Sequence, residues 1–286
     1  MKSTLWIFAL LFSSTIFAQG PLTESGTLLD PNEHQVRTIP HDSPYDEELM
    51  AARMPLPYDH IREADVLWEK RIWRLIDSRE LMNKSFSYPD RPLINIFLEA
   101  AERGDITLYN PIDDKFTTPM TYSQLEERIS TRDTVPIYSP DTDEMTYKIV
   151  TNDLNPDDII RWRVKEVWLF DEETSTMVVR ILGIAPLIQE LDDFGNLKYE
   201  VPLFWAYYPH CRQILAREKS FVPGNDKSLF SWEDRFESRY FASLIVKESN
   251  VYDRRIQDYK SGVDRIHESE RIKNELFNRE QDSWTH

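Results

Sequence analysis

Two apolar segments separated by a five-residue polar turn constrain the fold of this chain more than any other feature. The first, "IIRWRVKEVWLF", alternates apolar side chains with cations. Its apolar members are Ile160, Trp162, Val164 and Trp168, and its cations are Arg161, Arg163 and Lys165. This period of two predicts a half-buried strand with a basic outer face. The second, "TMVVRILGIAPLI", is apolar at nearly every position and predicts a central strand covered on both sides. Because only "DEETS" separates the two segments, they should form a β-hairpin.

Helical and strand patterns alternate around this hairpin. Short helices are predicted over "PLINIFLEAAERG", over "TYSQLEERI", where Thr121 and Gln124 have capping-box spacing, and over "PHCRQILARE". Longer helices are predicted over "SWEDRFESRYFASLIVKES", with an i, i+4 stripe starting at Trp232, and over "SGVDRIHESERIKNELFNREQDSW". Strands are predicted over "DITLYNP", "MTYKIV" and "YEVPLFWAYYP". The sequence therefore predicts an α+β fold in a single domain, with an antiparallel β-meander flanked by helices.

The segment "YDHIREADVLWEKRIWRLIDSREL" carries two tryptophans five residues apart. Its apolar residues follow helical spacing and predict an amphipathic helix. The apolar stripe of that helix consists of Ile61, Ala64, Trp68, Ile72 and Leu75. At about 100° per residue, Trp73 points well away from the stripe. Trp68 is therefore expected in the core, and Trp73 on a second surface that a neighbour covers.

The first 57 residues are predicted to precede the folded domain. "LWIFALLFSSTIFA" behind Lys2 predicts a signal peptide over residues 1–18, with cleavage after Ala18 and no cysteine behind it to carry a lipid. Residues 19–57 are rich in proline, and residues 19–60 hold eight acids against two arginines. This composition predicts a flexible acidic arm over 19–57. The α+β domain is expected over residues 58–286.

The charge of the chain argues against two classes of partner. The formal net charge is −16, and it becomes −17 when Lys2 leaves with the signal peptide. Such an acidic protein is a poor ligand for nucleic acid and for an anionic membrane surface. Outside the signal, no apolar run is long enough to span a bilayer, so no direct membrane insertion is expected.

The sequence contains no motif typical of catalysis or of cofactor binding. Walker, GxGxxG, GxSxG and HExxH patterns are absent, and the six histidines lack metal-ligand spacing. Acidic pairs such as Asp113 and Asp114 lie in turn-like sequence, where carboxylates satisfy backbone groups. Cys211 is the single cysteine and is expected to be a buried, unreactive thiol. No catalytic residue, cofactor or metal is therefore expected.

Aromatic and cationic side chains are abundant in segments that can reach the surface. The candidates for a partner interface are Trp73, Arg161, Trp162, Arg163 and Lys165. Tryptophan and arginine are enriched at protein–protein interfaces, and cations beside aromatic rings suit an acidic neighbour. A large aromatic core explains the tryptophans equally well, because tryptophan is mostly buried on average.

Five long stretches of the domain resemble the GldN/PorN family of gliding-motility and type IX secretion proteins. They are "YNPIDDKFTTPMT", "RWRVKEVWLFDEETSTMVVRILGIAPL", "PLFWAYYP", "RFESRYFASLIVKESNVYDRRIQDY" and "ERIKNELFNREQDSW". The resemblance covers about His60 to Trp284. A secretory signal without a lipid-carrying cysteine agrees with it.

This resemblance implies a non-enzymatic subunit of a periplasmic ring beneath the outer membrane. It implies contacts with a GldK/PorK-like outer-membrane lipoprotein, with the periplasmic part of a GldM/PorM-like motor protein, and with other copies in the ring. The family has no assigned catalytic residue to carry over. From the residues alone, two alternatives stay open: a stand-alone periplasmic peptide- or ligand-binding protein, and a periplasmic hydrolase with two facing carboxylates.

Overall fold

An eight-stranded antiparallel sheet organises the chain. The structure, a computed structural model, describes residues 49–139, 144–152, 154–191 and 197–283. Its strands are β1 (Val66–Asp77), β2 (Leu108–Tyr109), β3 (Pro119–Met120), β4 (Thr131–Ser139), β5 (Glu144–Asn152), β6 (Arg161–Asp171), β7 (Thr176–Leu191), β8 (Leu197–Pro202), β9 (Trp205–Tyr207) and β10 (Leu244–Glu248). Its helices are α1 (Leu93–Glu102), α2 (Tyr122–Ile129), α3 (Tyr208–Arg217), α4 (Trp232–Glu237) and α5 (Asp264–Ser283).

The strand order of the sheet is β10-β1-β6-β7-β9-β2-β3, and β8 also pairs with β7. β4 and β5 form a separate hairpin. The predicted hairpin of β6 and β7 is confirmed, and β7 is central because β6 lies on one side of it and β8 and β9 on the other. The α+β class and the antiparallel meander are therefore confirmed. In the ranges described above, no helix combines the length and apolar character needed to cross a bilayer.

One face of the sheet carries two apolar cores side by side. At one end, Ile76 and Trp162 pack against side chains of α1, α3 and α4. At the other end, Ile72 and Trp168 pack against Ile272 and a neighbouring leucine of α5. Alternate residues of a strand face the same side, so this helix-covered face carries the even-numbered side chains of β1. Its odd-numbered side chains lie on the opposite face, where the helices do not cover them.

The predicted helix around the two tryptophans of the opening segment is a strand. β1 pairs with β6 from Val66 to Asp77. Residues five apart on a strand face opposite sides of the sheet. Trp68 lies beside α5 and is half-buried, whereas Trp73 lies on the other face and is 8% exposed. The prediction of a helix with Trp68 in the core and Trp73 at the surface is therefore wrong.

The predicted long helix after Ser231 is also shorter than expected. Its capping box is present, since Ser231 Oγ accepts from the Asp234 amide at 3.0 Å and the Asp234 carboxylate accepts from the Ser231 amide at 2.9 Å. α4 ends at Glu237, and Arg239 has φ +56°, which a right-handed helix cannot continue through. The downstream apolar run forms β10 instead.

The remaining predicted elements are present with small changes. The capping box of α2 forms between Thr121 and Gln124, and α1, α3 and α5 lie where the sequence places them. "YEVPLFWAYYP" forms two short strands, β8 and β9, instead of one. The signal peptide and residues 19–48 of the arm lie outside the described residues.

The last part of the predicted arm contacts the helical layer. Arg53 donates from Nη1 to the Leu229 carbonyl and from Nη2 to Asp234 Oδ1, both at 2.6 Å. The Tyr58 ring lies between two guanidiniums, 4.0 Å from Arg180 and 3.8 Å from Arg212. Cation–π contacts of this kind stabilise by about 0.5–1 kcal/mol each at exposed sites. Tyr58 therefore anchors the chain where it enters the domain.

Replacing Tyr58 with alanine should release this anchor. We expect tryptic cleavage after Arg53 to become about tenfold faster, because the loss of roughly 1.4 kcal/mol lowers the free energy of local opening. Tyr252→Ala is the matched control, since Tyr252 also contacts an arginine but is 73% exposed. Equal cleavage rates for the Tyr58 variant and wild type would show that the tyrosine does not hold the segment.

A candidate interaction cleft

The face of the sheet opposite the helices is the floor of a cleft of about 390 Å³. Across β1 and β6, Trp73 pairs with Lys165 and Leu75 pairs with Arg163. Directly paired residues of an antiparallel ladder project to the same face, so these four side chains lie together. Trp205 of β9 packs with Trp73 in a small apolar cluster on this face.

Two connecting segments form the walls of the cleft. One is the β2–β3 loop, and the other runs from the end of β10 towards α5. The lining residues are Trp73, Leu75, residues 111–115, Arg163, Glu200, Pro202, Trp205, Val246, Lys247, Asp253, Arg255 and Gln257. These residues come from five separate parts of the chain, and the sheet brings them together.

Asp114 fixes the first wall to the floor. Its Oδ2 accepts from Trp73 Nε1 at 2.5 Å, and its carbonyl oxygen accepts from Lys165 Nζ at 2.5 Å. The ammonium also lies 3.4 Å from Asp114 Oδ1 and 5.5 Å from the Trp73 ring centre. Burial is the main cause that lowers the pKa of Lys165 below its usual value, and the charge of Asp114 opposes it. Trp73, Lys165 and Asp114 thus form one buried polar contact beneath the loop.

Phe116 closes the inner end of the same loop. It has φ +59°, and its ring packs against Trp205 and Tyr207 at centroid distances of 6.1 and 5.3 Å. The ring lies directly over Gly183 of β7, where an added Cβ would be 2.5 Å from Phe116 Cζ. Glycine is therefore required at position 183 for the loop to lie this close to the sheet.

Lys247 and Asp253 hold the second wall. Their side chains form an ion pair of 2.5 Å, and the Lys247 ammonium lies 4.6 Å from the centre of the Trp73 ring. The hydrogen bond from Lys247 is the main cause that lowers the pKa of Asp253 below its usual range. Trp73 thus lies between two ammonium groups, one from each side of the cleft.

Arg163 and Arg255 are the two guanidiniums of the cleft. Arg163 is half-buried, and its Nε is shielded from water with no hydrogen-bond acceptor among the described residues. Burial, and then the nearby charge of Arg255, lower the pKa of Arg163 to about 10. Arg255 lies on the exposed wall. Two like charges therefore meet at one end of the cleft.

The structure brings together some of the interface candidates and separates others. Trp73 and Arg163 line the cleft, and Lys165 lies beneath its loop with 5% exposure. Arg161 is on the same face, where it donates to Asp77 and Glu200 at 3.1 and 2.8 Å. Trp162 is on the helix-covered face and 1% exposed, so its ring belongs to the core and offers no surface to a partner.

Several residues of the cleft were not predicted from the sequence. They are Asp114, Lys247 and Arg255. Asp114 was interpreted as a solvated turn carboxylate, but it is a partner of Trp73 and Lys165. Arg255 lies in an irregular segment without periodicity, so only the folded sheet places it near Arg163.

Two carboxyls of the cleft, Asp113 and Asp253, have a pKa below the usual range. A general acid needs a carboxyl whose pKa is raised by burial. Hydrogen bonds from the Lys115 amide and from Thr117 instead lower the pKa of Asp113. In the part of the chain that the structure describes, no cluster of His, Cys, Asp and Glu could hold a metal ion. Cys211 is buried as expected, and burial raises the pKa of its thiol to about 12.

Comparison with known proteins agrees with the resemblance found in the sequence. A family model described as "Gliding motility associated protein GldN" matches residues 61–285. No curated protein matches the chain. The family match includes every strand and helix from β1 to α5 and all residues of the cleft. A member of this family is a component of the gliding-motility and type IX secretion machinery. Since the match covers most of its length, the chain belongs to the GldN family.

Proposed function

We propose that the chain is a non-enzymatic structural subunit of a periplasmic ring in the type IX secretion and gliding-motility machinery. In this role it assembles with a GldK/PorK-like outer-membrane lipoprotein and with further copies of itself. It also contacts the periplasmic part of a GldM/PorM-like motor protein. Residues 1–18 direct its export, and the lipoprotein holds it at the outer membrane. The family match over residues 61–285 is the observation that carries this proposal.

The composition of the cleft supports a protein partner. Its floor is almost covered, since Trp73 is 8% and Trp205 is 2% exposed, and its walls hold the cations Lys247 and Arg255. Arginine is one of the residue types that dominate binding energy at protein interfaces. An apolar side chain also projects from the first wall, since Ile112 is 86% exposed. Removing such exposed apolar surface from water under a second protein is favourable, so it stabilises a complex.

The state of the acids argues against the hydrolase alternative. Glycoside hydrolysis needs two facing carboxyl groups, one of them with a raised pKa. In the cleft, Asp114 is bound by Trp73 and Lys165, and Asp253 by Lys247. Glu200 accepts from Arg161. These carboxylates hold the walls and floor together, which supports a binding role.

Purification of the tagged protein from envelope fractions of its own host tests the proposal. We expect wild type to recover a lipid-modified outer-membrane protein and a periplasmic motor domain, in a complex far larger than one chain. Ile112→Glu should reduce recovery of at least one partner about tenfold, because it places a charge in a desolvated contact. Leu81→Glu is the control, since Leu81 is equally exposed, at 89%, and lies outside the cleft.

A different outcome would support the stand-alone binding protein. In that case, light scattering would find wild type to be a monomer, and no other protein would be recovered with it. The Ile112 and Leu81 variants would then behave alike.

A further inference from the structure

The cleft is lined by four acids and four cations, and two of these cations are guanidiniums without a carboxylate partner among the residues that the structure describes. Asp114 is bound by Lys165, Asp253 by Lys247, and Glu200 by Arg161. Asp113, the fourth acid of the lining, accepts from a backbone amide and a threonine hydroxyl within its own loop. The carboxylates are thus engaged elsewhere, and the two guanidiniums of the cleft are left over.

Arg163 and Arg255 make no ion pair with any residue in the described ranges. Arg163 has the greater need of a partner, because its Nε is shielded from water and has no hydrogen-bond acceptor in the described ranges. A buried donor without an acceptor loses its hydrogen bonds to water and gains none in exchange. The proximity of a second guanidinium adds to this cost, as the lowered pKa of Arg163 indicates. An anion placed between them would remove both penalties.

A carboxylate is the anion that fits this arrangement. Guanidinium groups bind carboxylates through two parallel hydrogen bonds, and Nε takes part in one common form of that pair. The lining also includes apolar side chains, with Trp73 and Trp205 on the floor and Ile112 on the first wall. A volume of about 390 Å³ is enough for a few side chains and too small for a folded element.

We propose that the cleft receives an acidic side chain from an extended segment of a partner protein, whose carboxylate binds Arg163 and Arg255. A neighbouring apolar side chain of that segment packs against Ile112, which is 86% exposed. This inference rests on the proposed function, because it assigns a chemistry to the partner that the ring subunit recognises. It makes Arg163 and Arg255 the residues that select an acidic partner.

Peptide binding to the full mature chain tests the charge preference. The probes are a capped hexapeptide of alternating leucine and glutamate and its leucine–glutamine isostere, measured by titration calorimetry at low ionic strength. We expect the glutamate peptide to bind about tenfold more tightly, as a charge-assisted pair of hydrogen bonds requires. The Arg163→Met, Arg255→Met double variant should lose this preference, and Arg103→Met, directly after α1, should keep it. Equal binding of both peptides, or a preference that survives in the double variant, would overturn the proposal.

Stability measurements separate a binding role of Arg163 from a structural one. Arg163→Met keeps the apolar stem and removes an unpaired, desolvated charge, so its urea midpoint should rise above that of wild type. A residue retained for binding commonly lowers stability in this way. If the midpoint falls instead, Arg163 supports the fold, and the carboxylate site is wrong.

Partner recovery distinguishes failure of this inference from failure of the proposed function. If the folded double variant recovers less partner than wild type, and Arg103→Met recovers as much as wild type, the proposed function and the carboxylate site both stand. If wild type and the double variant recover the same partners equally, ring membership stands and the carboxylate site is overturned. If wild type recovers no partner at all, the proposed function fails, and the peptide titration alone decides whether the cleft binds carboxylates.

Discussion

Replacing Glu166 with glutamine should lower the free energy of unfolding by about 3–5 kcal/mol, the cost of leaving a buried charge without its counter-charge. Glu166 is fully buried on the helix-covered face. Its Oε2 accepts from Arg74 Nε at 2.8 Å and from Trp168 Nε1 at 3.1 Å, and both its oxygens accept from Arg239 Nη2, at 2.9 and 3.1 Å. Glutamine keeps the shape of the side chain but offers one acceptor oxygen and no charge.

The position of Glu166 explains why the effect should be large. Arg74 is 6% exposed and comes from the adjacent strand, and Arg239 follows α4. The network therefore joins the sheet to the helical layer between the two apolar cores. Urea unfolding of the purified chain measures the loss, and Glu99→Gln is the control because Glu99 forms an exposed ion pair with Arg91. The control should change stability by about 0.5 kcal/mol or less. A Glu166 variant as stable as the control would mean that the network does not hold these layers together.

Trp162→Ala should cost about 3–5 kcal/mol, as other large aromatic truncations in cores do. Its ring lies 6.1 Å from Phe86 and 6.0 Å from Phe97, and only 1% of the residue is exposed. Trp68→Ala should cost less, about 1–2 kcal/mol, because Trp68 is half-buried and its ring is covered in part by Arg279 at 4.5 Å.

Urea melts of both variants on the isolated chain give the comparison. The sequence did not predict this order, since it placed Trp68 in the core and left Trp162 open between an interface and a core. If both variants lose the same free energy of unfolding, the sheet is packed as tightly beside α5 as beside α1. The greater exposure of Trp68 than of Trp162 predicts otherwise.

The strand β1 shows why part of the fold could not be predicted from the sequence. Its apolar residues Trp68, Ile72 and Ile76 face the helices, but Lys70 and Arg74 lie between them on the same face. These two charges break the alternation that identifies a strand. Their partners, at positions 248 and 166, are far away in the sequence. β6 and β7 could be predicted because their alternation and their turn are local.

The cleft was foreseen only in part for the same reason. The period of two in β6 correctly put Arg163 and Lys165 on one face, whereas the interface role predicted for Trp73 stays a prediction. The contacts that define the cleft are between distant segments, such as Asp114 with Trp73 and Arg255 near Arg163. No local pattern predicts these contacts, because their partners are far apart in the sequence. β10 and the β2–β3 loop also belong to opposite edges of the sheet.

Site-specific photo-crosslinking in the host tests most directly whether the cleft is the surface that binds the ring partners. A photoreactive phenylalanine analogue would replace Ile112 in one strain, Gln257 in a second, and Leu81, on a surface outside the cleft, in a third. The cleft account predicts crosslinks from positions 112 and 257 to another protein of the assembly and none from position 81. Crosslinks from position 81 alone, with positions 112 and 257 silent in a folded and assembled chain, would contradict it.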